Sequence, residues 1–195
     1  MRKYFNWYDI LISPLLSGLR KHIISQVEVG STVIEIGCGT GQLAQELLKK
    51  GITEYFGVDI APQMISIARR KVVSPGFIFT DNDFLIVNCD KIFDYAILTM
   101  IIHSIDTDIA QKIIRKASTI ANKIIIADYE VPQPNDIRAL LVRIIEWLAG
   151  SEHYYNFKTF KNNGGILFYA HPSELGVLKT ISNQVFSIIV LESPT

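Results

Sequence analysis

Val33-Ile34-Glu35-Ile36-Gly37-Cys38-Gly39-Thr40-Gly41 is an apolar run that carries one acid and opens into a glycine-rich turn. A second apolar run, Tyr55-Phe56-Gly57-Val58, ends in another acid, Asp59. Residues 32–36 alternate little, as expected of a strand covered on both faces by helices. The chain must then turn sharply and let a ligand lie against bare backbone. Gly37, Gly39 and Gly41 permit both, because positive φ and close approach cost little without a Cβ. A helix beginning near Gly41 points its free amides at the same place. Asp59 lies 18 residues beyond Gly41, at the tip of the next strand, where a carboxylate can accept both hydroxyls of a ribose. These features describe a nucleoside crevice at the carboxyl ends of two parallel strands.

The spacing narrows the ligand. Dinucleotide binders need a third glycine at the sixth position of G-x-G-x-x-G, so that the helix packs close to the strand. Counted from Gly37, that position is Gln42. No Lys or Arg stands in or beside the turn in sequence, and no Gly-Lys-Ser/Thr follows to make a phosphate loop. The turn suits a ligand with a ribose and no phosphate, which disfavours a nicotinamide-dependent oxidoreductase.

Glu35-Ile36-Gly37-Cys38-Gly39-Thr40-Gly41, Asp59 and the strand at Phe93-Asp94-Tyr95 resemble the successive motifs of class I S-adenosylmethionine-dependent methyltransferases. The similarity covers residues 30 to 130, about half the chain. The resemblance implies S-adenosylmethionine as cofactor and S-adenosylhomocysteine as product. It implies a glycine loop cradling the methionine part at Glu35, Gly37, Cys38, Gly39 and Gly41. Asp59 then matches the ribose acid, and Ile60 lies against the adenine face. Asp81 and Asn82 match the pair at the adenine amino edge, with Asp83 as a rival acid, because the family's usual Gly-Asp-Ala reads Thr80-Asp81-Asn82 here. Met64 and Met100 complete the expected cofactor set.

Strand and helix signals alternate along the chain. Leu43, Leu47 and Leu48 mark a helix that stops at Gly51. Residues 61–73 form a second, with Pro62 near its first position and Met64, Ile65 and Ala68 inward. Phe77 to Thr80 and Phe93 to Met100 read as strands, while 81–92 is too short and mixed for a helix. Ile109, Ile113, Ala117 and Ile120 mark an amphipathic helix before an isoleucine-rich strand, Lys123 to Asp128. This order predicts an α/β, Rossmann-like, doubly wound and mostly parallel seven-stranded sheet with helices on both faces. A helical lid insertion follows the fifth strand. There Asn135 is placed to cap a helix whose apolar face is Ile137, Leu140, Leu141, Ile144, Ile145 and Leu148, ending at Gly150. A second lid helix covers Glu152 to Asn162, and residues 178–192 supply the last strands. One domain, 1–195, is expected, with an N-terminal helical cap in 1–30 and the lid and substrate region in 131–170.

Composition removes other classes. Apolar residues make up 49% and charged residues 19%, with formal net charge zero and a pI near 6.9. No basic nucleic-acid surface is expected. Cys38 and Cys89 are too few and too far apart for a disulfide scaffold or a zinc site, and no metal is expected. Met1-Arg2-Lys3 followed by 10–19 faintly resembles a secretory leader. Asp9, Pro14 and Gly18 interrupt it, and the run is too short to cross a bilayer, so a cytoplasmic location is expected. Tyr4, Phe5, Trp7 and Tyr8 either close over the crevice or pack on the sheet edge.

Methyl transfer asks little of side chains: alignment and exclusion of water carry much of the acceleration, and a base is needed only if the acceptor must lose a proton. His103 after the fourth strand, and His153 and Tyr154 in the lid, are the candidate catalytic residues; Tyr129 and Tyr155 are further possibilities, and His171 is structural or exposed. The leading expectation is a methyltransferase acting on a small molecule, an apolar one being favoured by the Ile, Leu, Tyr and Phe of the lid. The alternative is a noncatalytic S-adenosylmethionine-binding or regulatory protein.

Overall fold

The computed structural model describes residues 16–193. Seven strands form one sheet: β1 (Thr32–Ile36), β2 (Glu54–Val58), β3 (Phe77–Thr80), β4 (Phe93–Thr99), β5 (Ala121–Tyr129), β6 (Gly176–Ser182) and β7 (Phe186–Glu192). Their order is β3-β2-β1-β4-β5-β7-β6. The pairs from β3 to β5 are parallel, and β7 runs antiparallel between β5 and β6. The expected mostly parallel seven-stranded sheet is therefore present.

Among the described residues seven α-helices clothe it: α1 (Ser17–Gln26), α2 (Gln42–Lys50), α3 (Pro62–Lys71), α4 (Thr107–Ile120), α5 (Ile137–Leu148), α6 (Ser151–Asn162) and α7 (Ile166–Ala170). Two apolar clusters, one on each face, hold the layers together. Ile34, Ile36, Ile124 and Ile126 pack with residues of α4 to α7, while Val33, Ile125 and Ala127 pack with α1 to α3. Ile124, Ile125 and Ile126 are all fully buried, which explains why β5 reads as an unbroken apolar run. Each such side chain contributes about 1.5–3 kcal/mol by leaving water.

Local chemistry sets the element ends. Pro62 occupies the first turn of α3, where a missing N–H costs nothing. Gly51 closes α2 in the left-handed conformation. Asp106 caps α4 by accepting from the N–H groups of Asp108 and Ile109. Lys116 draws in the short 3-10 turn Phe84–Ile86, donating to the carbonyls of Phe84, Leu85 and Val87.

Three expectations are corrected. Asn135 does not cap α5; Asp136 does, accepting from the Arg138 N–H at 2.9 Å. Ile109 is exposed, because α4 turns Ala110, Ile113, Ile114 and Ala117 inward instead. The largest reversal concerns α5: Ile137, Leu140, Leu141, Ile144 and Leu148 face outward, and the buried stripe is Ala139, Val142 and Glu146. Small side chains let the helix lie close, and Glu146 finds buried polar partners that a leucine face cannot supply. The aromatic cluster Tyr4, Phe5, Trp7 and Tyr8 lies outside the described residues. No helix among them is long and apolar enough to cross a membrane.

Candidate active site

The strand order reverses between β1 and β4, the place where an open α/β sheet leaves a crevice beyond its carboxyl ends. The tips around it are stitched together. Gly37 and Cys38 donate to the Val58 carbonyl at 2.8 and 3.1 Å, Asp59 to Thr80 at 3.1 Å, and Met100 to Ala127 at 2.8 Å. Gly37 takes φ +75°, and a Cβ there would stand 2.5 Å from Ile101 Cγ2, so only glycine fits. Gly39 takes φ +52° with nothing within 4 Å of where its Cβ would be, so its backbone faces open space. α2 begins at Gln42, directly behind the turn.

Asp59 governs this loop. One carboxylate oxygen accepts from the Gly39 N–H at 2.8 Å and the other from the Ala61 N–H at 2.9 Å. Ile60, 76% exposed, stands beside it. Met64 is half-buried in the first turn of α3. Met100 holds φ +57° at the tip of β4, a sparsely populated conformation for a side chain of its size. Of the three acids and amides after β3, Asp83 is committed to capping the 3-10 turn through the Leu85 N–H, while Asp81 and Asn82 are exposed. Asp83 is exposed as well, and Asp81 stands 3.9 Å from the Arg69 guanidinium, so the two acids remain rivals.

Glu35 and Cys38 lie beneath the turn. The Glu35 carboxyl is buried and accepts the Tyr55 hydroxyl. Burial pushes it up to about 8, with the nearby Asp59 charge adding to the effect and the Tyr55 bond opposing it. Burial likewise pushes the Cys38 thiol far up, so Cys38 fills space and is no nucleophile. Although no basic residue neighbours the turn in sequence, α3 brings Lys71 Nζ within 3.3 Å of Thr40 Oγ1.

On the other side of the reversal stands a buried polar cluster. His103, in the 3-10 turn Ile102–Ser104, contacts the Asp128 carboxylate through Nδ1 at 2.6 Å. Asp128 also accepts from the N–H groups of Ile102, His103 and Tyr129. Glu146 accepts the Tyr129 hydroxyl at 2.7 Å and brings its other oxygen 3.5 Å from His103 Nε2 and 2.5 Å from His153 Nε2. α6 is held against this turn by Asn156, which donates to the Ser104 carbonyl at 3.0 Å. Phe157 and Phe160 lie edge-on to the His103 ring. Burial opposes charge on His103, but Asp128 and Glu146 outweigh it and push the imidazole up to about 10. For Glu146, burial is outweighed by the two imidazoles and the Tyr129 hydroxyl, which bring it down to about 2.

The structure thus brings together two of the three candidate catalytic residues, His103 and His153. Tyr154 packs near Phe157, whose ring lies against His103, and beneath Lys158. Tyr155 and His171 are exposed. Sequence reasoning missed Asp128 and Glu146 as site residues. The signal for Glu146 was present: it is the one acid in the apolar stretch 137–148.

The arrangement fits S-adenosylmethionine: a bare backbone at Gly39, an acid at a strand tip beside it, and an exposed apolar Ile60 for a planar base. Residues 33–123 match the family model of the methyltransferase domain. Over 91 residues the chain is 34% identical to an uncharacterized methyltransferase of Bacillus cytotoxicus, covering 47% of this chain and 42% of that protein. Over 90 residues it is 36% identical to the ribosomal RNA small subunit methyltransferase A of Mycoplasmopsis pulmonis, covering 46% of this chain and 35% of that one. Less than half the length of either relative is therefore matched. Among solved structures, magnesium protoporphyrin IX methyltransferase from Synechocystis PCC 6803 with bound S-adenosylhomocysteine shares the fold. Its TM-score is 0.62 at 17% identity, covering 93% of this chain and 83% of that chain. The segment from β1 into β5 is thus similar to methyltransferase domains, and the chain shares the fold of an S-adenosylmethionine-dependent methyltransferase.

Proposed function

We propose that the protein transfers a methyl group from S-adenosylmethionine to a heteroatom of a small, apolar acceptor. One juxtaposition carries the reading: the glycine turn with Asp59 and the buried His103 cluster stand at the same end of the sheet, on either side of the strand reversal. When bound, the cofactor supplies a sulfonium-activated methyl that an in-line nucleophile takes, leaving the thioether product. The protein's own part is alignment and the exclusion of water. Gly37, Cys38, Gly39 and Gly41 with Glu35 beneath them shape the methionine side, Asp59 holds the ribose, and Ile60, Met64, Asp81, Asn82 and Met100 surround the base. On the acceptor side we place His103, His153 and Tyr154, with Glu146 added. The acceptor's proton leaves toward His153, the outermost member of the His103–Glu146–His153 cluster, whose side chain is 29% exposed.

Charge favours a small acceptor. With 19 basic and 19 acidic side chains, the chain offers no excess charge for a polyanion, so the acceptor named for the Mycoplasmopsis relative draws no support from composition. A cytoplasmic setting completes the proposal, in keeping with two cysteines that form no disulfide. The test is methyl transfer from labelled S-adenosylmethionine to a panel of apolar amines, phenols, hydroquinones and thiols. Turnover with at least one member is expected. Tight cofactor binding without turnover on any acceptor, RNA included, would instead mark a noncatalytic binder.

A further inference from the structure

The turn around His103 holds more polar valence than the protein itself satisfies. His103 Nε2 and Glu146 Oε2 are both buried without a hydrogen-bond partner among the described residues, although they stand 3.5 Å apart. His153 Nε2 approaches the same carboxylate oxygen at 2.5 Å, and the three atoms all lie within 4.8 Å of one another. The remaining valences point outward and are occupied: His103 Nδ1 by Asp128, and Glu146 Oε1 by the Tyr129 hydroxyl. Three potential ligand atoms therefore converge on one small volume, and an ion binding there displaces the proton on His103 Nε2. Leaving the buried His103 nitrogen unsatisfied costs about 1–3 kcal/mol, and a cation between it and the Glu146 carboxylate removes that penalty.

We propose that His103, Glu146 and His153 bind a divalent cation of the zinc class through Nε2, Oε2 and Nε2, with a fourth position left for water. Two imidazoles and one carboxylate form a ligand set of open zinc sites. Imidazole donors also favour zinc, copper or nickel over magnesium and calcium. Ligand atoms held about 2.0–2.1 Å from a tetrahedral ion lie roughly 3.3 Å apart. The His103–Glu146 separation already matches, and His153, in the first turn of α6 and partly exposed, has room to back away from Glu146. Asp128 takes the part that a carboxylate commonly plays behind a metal-bound histidine, fixing the ring and its tautomer from the far nitrogen. The three ligands come from the turn after β4, from α5 and from α6, so the ion would pin the helical insertion to the sheet. None of this depends on methyl transfer.

The experiment uses the untagged full chain, stripped with chelator and titrated with Zn2+ alone by calorimetry, and with Co2+ by visible absorption. One Zn2+ per chain, a tetrahedral Co2+ spectrum and a raised Tm with Zn2+ are expected. His153→Ala and Glu146→Gln should weaken binding by 100-fold or more, Asp128→Asn by about 10- to 100-fold, and exposed His171→Ala not at all. If Glu146→Gln fails to fold, His153→Ala decides, since its side chain reaches the surface. A wild-type chain that binds no stoichiometric Zn2+, or one whose binding survives His153→Ala, overturns the site. S-adenosylmethionine affinity measured on the same samples reports separately on the methyltransferase reading.

Discussion

Gly37 and Gly39 share a left-handed backbone yet do different jobs. An alanine at 37 places a Cβ 2.5 Å from Ile101 Cγ2, whereas an alanine at 39 meets nothing within 4 Å. Gly37→Ala is therefore expected to lower stability by about 2–4 kcal/mol, combining overpacking with left-handed strain. Gly39→Ala should cost only about 1–2 kcal/mol of stability while blocking the cofactor's approach. Denaturant melts paired with cofactor titration separate the two. Equal stability losses would refute the assignment of Gly39 to the open crevice. Glu35 gives a pH signature. Its carboxyl ordinarily titrates at 4.5, but burial raises it to about 8 in the folded chain. The folded state thus holds a proton that the unfolded state has lost. Its contribution is complete below pH 4.5 and falls as pH climbs through about 8, with a slope of up to about 1.4 kcal/mol per pH unit. Glu35→Gln is expected to flatten stability across that window. An unchanged slope would show that the carboxyl is ionised when folded.

At the scale of elements, α5 shows how a strong pattern misleads. Ile137, Leu140, Leu141, Ile144 and Leu148 read as the buried face because they are the largest apolar residues at helical spacing. Burial instead follows the partner surface: Tyr129 and His103 present a hydroxyl and an imidazole, and Glu146 meets both. Leu141→Gln should change stability by less than about 0.5 kcal/mol, whereas Val142→Ala, one position on, should cost about 1–2 kcal/mol. Thermal unfolding of the two variants checks it; a larger loss at 141 would put the leucine face inward. Removing the cap with Asp136→Ala is expected to cost about 1 kcal/mol. The parallel strands were legible because each is buried on both faces and bounded by its own turn chemistry. Glu146 and Asp128 were not legible as site residues, because their roles arise from contacts with residues 17 to 43 positions distant or on other elements.

For the whole molecule, the sheet divides the labour. The proposed cofactor-side residues cluster in the segment from β1 to the tip of β4, where motif spacing within about seventy residues points to them. The residues proposed for the acceptor side come from the turn after β4 and from β5, α5 and α6, and only the folded chain assembles them. The crevice beside Gly39 and Asp59 is proposed to bind S-adenosylmethionine. Calorimetric titration of S-adenosylmethionine into the full chain and into its Asp59→Ala variant tests it most directly. Charge-assisted hydrogen bonds accepted by Asp59 from the ribose would contribute about 1.5–3 kcal/mol, so one site per chain and a loss of affinity of roughly 10- to 100-fold in the variant are expected. NAD binding in place of S-adenosylmethionine, or an affinity that Asp59→Ala leaves unchanged, would contradict it.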